Sequence, residues 1–103
     1  MDVNRIIAEK VMGWVLNSQG WWMHNGKVAS KDFDPMHNIS HAMMALEKFE
    51  EYQIHKENLY GKSKYLCRVY GPLGKEFESS WATTPCEAIC NALVEAVGGG
   101  KDE

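Results

Sequence analysis

The sequence predicts an α+β fold: a central antiparallel sheet of three to four strands with helices packed on it, in the order α-β-β-α-β-β-α. Three observations lead to this prediction. An apolar stripe of helical period lies near the end of the chain, an Asn-Gly pair joins two short β-rich runs, and a glycine-flanked turn joins two further strands. We assign residues 1–98 to a single domain and residues 99–103 to a disordered polar tail.

The first predicted helix runs from Val3 to Trp14 and ends near Gly13. Its apolar positions repeat with a helical period, which predicts one buried face. These positions are Val3, Ile7, Val11 and Trp14.

A hairpin follows at Asn25-Gly26, because a type I′ turn needs positive φ at both central residues. It joins a strand at Trp21–His24 to a short strand at Lys27–Ala29. Strand alternation places Trp21 and Met23 on one side, with Trp22 and His24 on the other.

The second half of the chain predicts a helix, a second hairpin and a last helix. Asn38 caps a helix that extends to about Gln53, and residues 54–63 are predicted as a loop. The strands Lys64–Tyr70 and Lys75–Trp81 flank a four-residue loop at 71–74. We expect Phe77, Ser79 and Trp81 to share one face, together with Tyr65, Cys67 and Val69.

The last helix has the clearest boundaries. Thr84 is its N-cap, Pro85 occupies the first helical position, and Glu87 completes a capping box. An alanine-rich apolar stripe continues to Val97, where three glycines end the helix.

The charge balance disfavours a nucleic-acid partner. The chain has 14 acidic and 11 basic residues, a formal charge of −3, whereas phosphate binding usually needs a basic face. Three cysteines without a framework spacing indicate a reducing compartment. No apolar run spans a bilayer and the N-terminus does not resemble a signal peptide, so we expect a cytoplasmic protein that does not enter membranes.

Two pairs of residues are candidates for chemistry. His37 and His41 are four residues apart, a spacing that can share zinc, but His37 precedes the helix cap and the metalloprotease glutamate is absent. Cys86 and Cys90 are also four apart, and the helix dipole near Cys86 lowers a thiol pKa. No other catalytic signature is present, so we expect no enzymatic activity, no cofactor and no metal site.

The tryptophans indicate surfaces as well as core. Trp14 and Trp81 fit core positions. Trp21 and Trp22 face opposite sides of a strand, so either one is exposed or helices cover both sides. An exposed aromatic side chain is typical of an interface.

From His41 onward the elements also follow the order of a double-stranded-RNA-binding domain. That module needs lysines at the start of its last helix, where this chain has Thr84, Pro85 and Glu87. The similarity is one of packing rather than of chemistry.

Three segments carry a closer resemblance: "AEKVMGW" (8–14), "FDPMHNISHAMMALEKF" (33–49) and "ATTPCEAICNALVEAV" (82–97). They resemble the phage ABA-sandwich domain family, small proteins of phages and prophages of Gram-positive bacteria. The family often carries an aspartate and a tryptophan where this chain has Asn38 and Met44. The resemblance implies helices on both faces of a central sheet, and it implies no activity or catalytic residues.

These observations predict a phage- or prophage-encoded, non-enzymatic binding protein acting in the host cytoplasm. The specific hypothesis is inhibition of a host defence protein, such as a CRISPR nuclease. The predicted contact surface combines an exposed tryptophan with an acidic helix face: Trp21, Trp22, Glu47, Glu50 and Glu51. Homodimerisation is compatible with such a surface.

Two alternatives from other classes stay open. The first is a nucleic-acid binder with a basic stripe formed by Lys62, Lys64, Arg68 and Lys75. The second is a small metal-dependent or thiol enzyme.

Overall fold

The N-terminal segment forms a short helix that widens before it ends. The computed structural model describes residues 2–71 and 74–98. Helix α1 (Val3–Ile6) is capped by Asp2, whose carboxylate accepts a hydrogen bond from the Arg5 N–H at 3.2 Å. It continues as a π-helical turn at Ile7–Val11, one residue wider per bond than an α-helix. The predicted first helix is therefore present as two segments and ends before Trp14, which is buried.

The first sheet contains the predicted Asn25-Gly26 hairpin. Its strands are β1 (Val15–Leu16), β2 (Trp22–His24) and β3 (Lys27–Ser30), antiparallel in that order. Asn25 has φ of 52° and Gly26 has φ of 78°, as a type I′ turn requires. Strand β1 has only two residues and was not expected from the sequence.

The second helix is shorter than predicted. Helix α2 (Ile39–Leu46) begins at Asn38, whose side chain accepts hydrogen bonds from the N–H groups of Ser40 and His41. Its last turn tightens, because Lys48 and Phe49 donate to carbonyls only three residues back. The helix prediction to Gln53 and the loop prediction for 54–63 are both wrong, since Glu51 starts a strand.

The second sheet is built on a long hairpin. Strands β4 (Glu51–Leu59) and β5 (Lys62–Tyr70) pair antiparallel over nine residue pairs, and β6 (Glu76–Glu78) pairs with the other side of β5. A two-residue turn, Tyr60-Gly61, closes the hairpin, with φ of 53° and 76°. The α+β fold class is confirmed, although the six strands form two three-stranded sheets rather than one central sheet.

An irregularity after β6 places Trp81 outside the core. Arg68 pairs with Glu78 whereas Tyr65 pairs with Ala82, so one extra residue lies on the β6 side of the ladder. Such a one-residue slip exchanges the two faces of a strand. Trp81 is consequently 46% exposed and Ala82 is buried, which corrects the prediction of Trp81 as a core residue.

Helix α3 (Pro85–Ala96) contributes more buried residues than α1 or α2. Thr84 accepts a hydrogen bond from the Glu87 N–H at 3.1 Å, as the predicted cap requires. The helix contacts β5 and β6 of the second sheet, and also α2 and the N-terminal helical segment. Ile89 and Leu93 are fully buried, and each contributes about 1.5–3 kcal/mol by leaving water.

One hydrophobic core joins these elements and includes Trp14, Trp22 and Phe33 from the N-terminal half. The predicted domain limits of 1–98 stay a prediction. The predicted tail at 99–103 lies outside the described residues, as do the two central residues of the predicted 71–74 loop.

Candidate functional site

The two histidines singled out from the sequence both serve the loop before α2. The His41 Nδ1 atom accepts a hydrogen bond from the backbone N–H of Asp34 at 2.9 Å, and its ring stacks on Phe33 with centroids 5.4 Å apart. The His37 Nδ1 atom lies 3.1 Å from the Asp34 carboxylate. The histidines therefore contact the backbone and the side chain of the same residue, and both hold this loop in place.

Asp34 connects the loop to the N-terminal helix. The Asn4 side-chain amide donates to its carboxylate at 2.8 Å, and the Asn4 side-chain oxygen accepts from the Met36 N–H at 3.2 Å. Partial desolvation alone would raise the Asp34 pKa, but hydrogen bonds from Asn4 and His37 outweigh it and lower the pKa. In residues 2–71 and 74–98, no three His, Cys, Asp or Glu side chains are placed to hold one metal ion.

The three thiols are buried and disfavour ionisation. Burial raises the pKa of Cys67 to about 11 and that of Cys90 to about 12. Burial, together with the charge of Asp34, also raises the pKa of Cys86. The net direction at Cys86 is opposite to the lowering predicted from the helix dipole, because burial and the Asp34 charge both disfavour the thiolate.

The structure separates the adjacent tryptophans as strand alternation predicts. Trp22 is buried in the core, which removes it from the candidate contact surface. Trp21 is half-buried, and the Lys31 ammonium lies 4.4 Å from the centroid of its ring. Trp21 therefore stays on the surface, with a cation over one ring face.

Trp21 borders a line of apolar residues that crosses all three strands of the first sheet. Met23 pairs with Val15 on one side and with Val28 on the other. Val15 is 68% exposed, Val28 is 45% exposed and Met23 is half-buried. We call Val15, Met23 and Val28 the apolar row; strand alternation places Trp21 on the same face.

The predicted acidic residues lie elsewhere in the fold. Glu47 follows the end of α2, and Glu50 and Glu51 lead into β4 of the second sheet. All three are exposed. They do not form one helical face with α2, because the helix ends at Leu46.

The basic stripe considered for nucleic acid is interrupted at its centre. The Arg68 guanidinium contacts Glu78 and lies 3.0 Å from the Glu76 carboxylate. The hydrogen bond that Arg68 donates to Glu78, together with the charges of Glu78 and Glu76, raises the Arg68 pKa. Two carboxylates thus neutralise the position between Lys64 and Lys75, which disfavours a phosphate at that position.

The tip of the long hairpin exposes two large residues. Tyr60 is 95% exposed and Leu59, the last residue of β4, is also exposed. Tyr60 has positive φ, a conformation uncommon for a bulky side chain. Sequence reasoning missed this tip because Tyr-Gly is a much weaker turn signal than Asn-Gly.

Comparison with known proteins identifies the family to which the fold described above belongs. Residues 5–94 match the phage ABA sandwich domain. The chain belongs to the phage ABA sandwich domain family. This confirms the family resemblance found in the sequence, and the helices and antiparallel sheets of this family member are consistent with its name.

A solved structure is similar to this chain over most of the chain's length. It is a 2.0 Å crystal structure of a phage protein from Bacillus cereus, 28% identical in sequence, with a TM-score of 0.67. The match covers 94% of this chain and 85% of that chain. No curated protein matches this sequence. Within the described residues, no helix is long and apolar enough to cross a membrane.

The apolar row was not predicted from the sequence, although part of its signal was present. Trp21 and Met23 were placed on one face by alternation. Val15 was missed because β1 is too short to give a strand pattern of its own. Its partner Met23 identifies it only once the two strands are paired.

Proposed function

We propose that this phage protein acts by binding a partner protein through the apolar row, with Trp21 at its edge. The main support for this proposal is that Val15, Met23 and Val28 lie side by side across the three strands of the first sheet, on a face that is open to solvent. A sheet with one face on the core normally presents polar residues on the other. An apolar line on the outer face is typical of an interaction site.

The chemistry of the surface favours a protein over a nucleic acid. The valine and methionine side chains of the apolar row offer no ring on which bases stack, and the Lys31 ammonium already lies over one face of the Trp21 ring at its edge. Lys27 begins β3 and Lys31 follows it, so positive charge lies at both ends of the strand that carries Val28. The partner surface that complements this arrangement is an apolar patch with acidic residues at its rim.

We also propose that the chain has no catalytic activity of its own. The candidate nucleophiles are buried thiols with raised pKa values. Both candidate histidines hold the loop at Asp34. The burial of the thiols and the contacts of the histidines favour a structural role for these side chains over an enzymatic one.

The proposed partner is a host protein in the bacterial cytoplasm, and a defence nuclease is the specific candidate. This choice rests on analogy with small phage proteins that block such enzymes, together with membership of a phage protein family. Inhibition by occlusion requires only that the apolar row cover part of the target surface.

The test is affinity capture from a Gram-positive lysate treated with nuclease, followed by binding measurements with the purified captured protein. Val28→Lys should weaken binding at least tenfold, because it places a charge in the apolar row. Met44→Lys is the matched control, since Met44 is 46% exposed but lies on α2. Glu47→Gln, Glu50→Gln and Glu51→Gln should change binding little.

Equal effects of Val28→Lys and Met44→Lys would contradict the proposed surface. Recovery that disappears on nuclease treatment would contradict a protein partner. A purified partner that is bound without being inhibited would retain the binding proposal and exclude the inhibitor role.

A further inference from the structure

Strand β4 presents a long and open sheet edge. Among the described residues, β4 pairs with β5 alone, and every residue of β4 except Tyr52 is exposed. The strand contains no proline, no glycine and no break in register over its nine residues. Natural proteins usually shorten, bend, cover or charge such an edge, because it can pair with another strand. Strand β4 carries the charged residues Glu51, Lys56 and Glu57.

Hydrogen bonding along β5 shows which β4 groups face outward. Tyr65 exchanges backbone hydrogen bonds with Ala82, and Cys67 bonds to Ser79, so these β5 residues direct their polar groups toward β6. The alternate residues Leu66 and Arg68 therefore bond to β4, through His55 and Gln53. The remaining β4 residues direct their N–H and C=O groups away from the sheet: Tyr52, Ile54, Lys56 and Asn58.

The hairpin carries opposite charges at its two ends. Near the tip are three lysines and one glutamate: Lys56, Lys62, Lys64 and Glu57. Near the base are three glutamates and one lysine: Glu47, Glu50, Glu51 and Lys48. An antiparallel arrangement of two such hairpins places each basic tip beside an acidic base, whereas a parallel arrangement places like charges together.

The base also contains a cavity near the point that a partner's tip would reach. The cavity is about 300 Å³ and is lined by Lys48, Phe49, Glu50, Tyr70 and Gly71. Tyr60 at the tip is almost fully exposed, and its backbone has positive φ, a conformation that glycine adopts more readily than tyrosine. A half-apolar cavity and an exposed ring at opposite ends of one strand are complementary between two copies.

We propose that two copies of this chain pair through their β4 edges into one six-stranded antiparallel sheet. The two-fold axis passes between the two His55 residues, and Gln53 lies opposite Glu57 of the second copy. This register pairs all nine residues of β4 and brings Tyr60 beside Glu50 of the second copy, at its cavity. The apolar row belongs to the other sheet and stays open on both copies.

Cysteine cross-linking of the full chain tests both the pairing and its register. His55 faces itself across the axis as a non-hydrogen-bonded pair, about 4.5 Å between Cα atoms, a separation that suits a disulfide. Under mild oxidation His55→Cys should form a covalent dimer. Gln53→Cys and Glu57→Cys should each form no covalent dimer on their own but should cross-link when mixed.

The native thiols are buried, so they should not compete in this reaction. Ser18→Cys is the control for random collision, because Ser18 is exposed and far from β4 in sequence. Sedimentation equilibrium of the unmodified chain at about 100 µM should give twice the chain mass of 11.7 kDa. A monomer at that concentration would overturn the proposal. So would His55→Cys dimers no more abundant than Ser18→Cys dimers, or equal cross-linking of Gln53→Cys with itself.

Discussion

Two of the β-hairpins in the described part of the chain, β2–β3 in the first sheet and β4–β5 in the second, use the same turn for different purposes. Both are closed by two residues with positive φ, Asn25-Gly26 in the first sheet and Tyr60-Gly61 in the second. Asn25 is a residue that this turn favours, and its strand is anchored by Trp22 in the core. Tyr60 is a residue that the turn disfavours, and its strands extend nine residues with little cover on β4.

The difference shows that turn chemistry explains the first hairpin but not the second. A bulky residue in the left-handed region costs roughly 1 kcal/mol compared with glycine or asparagine. Nothing within the described part of the chain covers the Tyr60 ring, which is 95% exposed. The proposed pairing of two copies gives the tyrosine a contact outside its own chain.

The largest effect should come from the anchor of the first hairpin. Trp22→Ala should lower the free energy of unfolding by about 3–5 kcal/mol, because it leaves a cavity in the core. Trp21→Ala should lower it by less than about 1 kcal/mol, since Trp21 is half-buried. Urea unfolding followed by circular dichroism measures both. Equal losses would mean that the core does not distinguish the two tryptophans.

Thiol labelling should show that β5 is tightly packed against α3, although the neighbouring strand β4 is exposed. Cys67 on β5 and Cys90 on α3 are fully buried, and their pKa values are raised. An aromatic disulfide reagent at neutral pH should therefore react at least about 100-fold more slowly with the native protein than with the denatured chain. Fast reaction of Cys67 in the native protein would show that β5 separates readily from α3.

Exchanging the turn residues tests the comparison itself. Asn25→Tyr should destabilise the first hairpin by about 1 kcal/mol, because it introduces the disfavoured residue without a compensating contact. Tyr60→Asn should stabilise the monomer by about 0.5–1 kcal/mol. Unfolding at low protein concentration, where association is absent, measures both changes. A loss of monomer stability in Tyr60→Asn would show that the ring supports its own chain.

The smallest effect concerns the loop that follows the first hairpin. The folded pKa of Asp34 is below the ordinary 3.8, so its ionised form adds stability above that pH. This stability is lost as the pH falls through the lowered, folded-state pKa. Denaturation between about pH 5 and about pH 2 should therefore show a smaller pH dependence in Asp34→Asn than in wild type. Identical slopes would mean that the contacts with Asn4 and His37 do not favour the ionised carboxylate.

Local signals in the sequence were sufficient for several elements. Thr84, Pro85 and Glu87 define the start of α3 through its cap, and Asn25-Gly26 defines the first turn. Each signal depends on residues a few positions apart. These are also the elements whose predicted positions agree with the structure.

The features that the sequence did not predict depend on how strands pair with one another. Glu50 and Glu51 continue a plausible helical pattern, and strand β4 is recognised only when β5 is placed beside it. The face of Trp81 depends on one extra residue between Glu78 and Ala82. In the candidate site, alternation separated Trp21 from Trp22, but Val15 joined the row only through the pairing of β1 with β2.

The most direct test of the two-hairpin comparison is sedimentation equilibrium of the wild-type chain, Tyr60→Asn and Asn25→Tyr. If Tyr60 makes a contact with a second copy, Tyr60→Asn should weaken dimerisation at least tenfold while its folded monomer is unimpaired. Asn25→Tyr should leave the dimerisation constant unchanged, because its turn lies in the other sheet. A Tyr60→Asn protein that associates as tightly as wild type would contradict the claim that the second hairpin is shaped for contact.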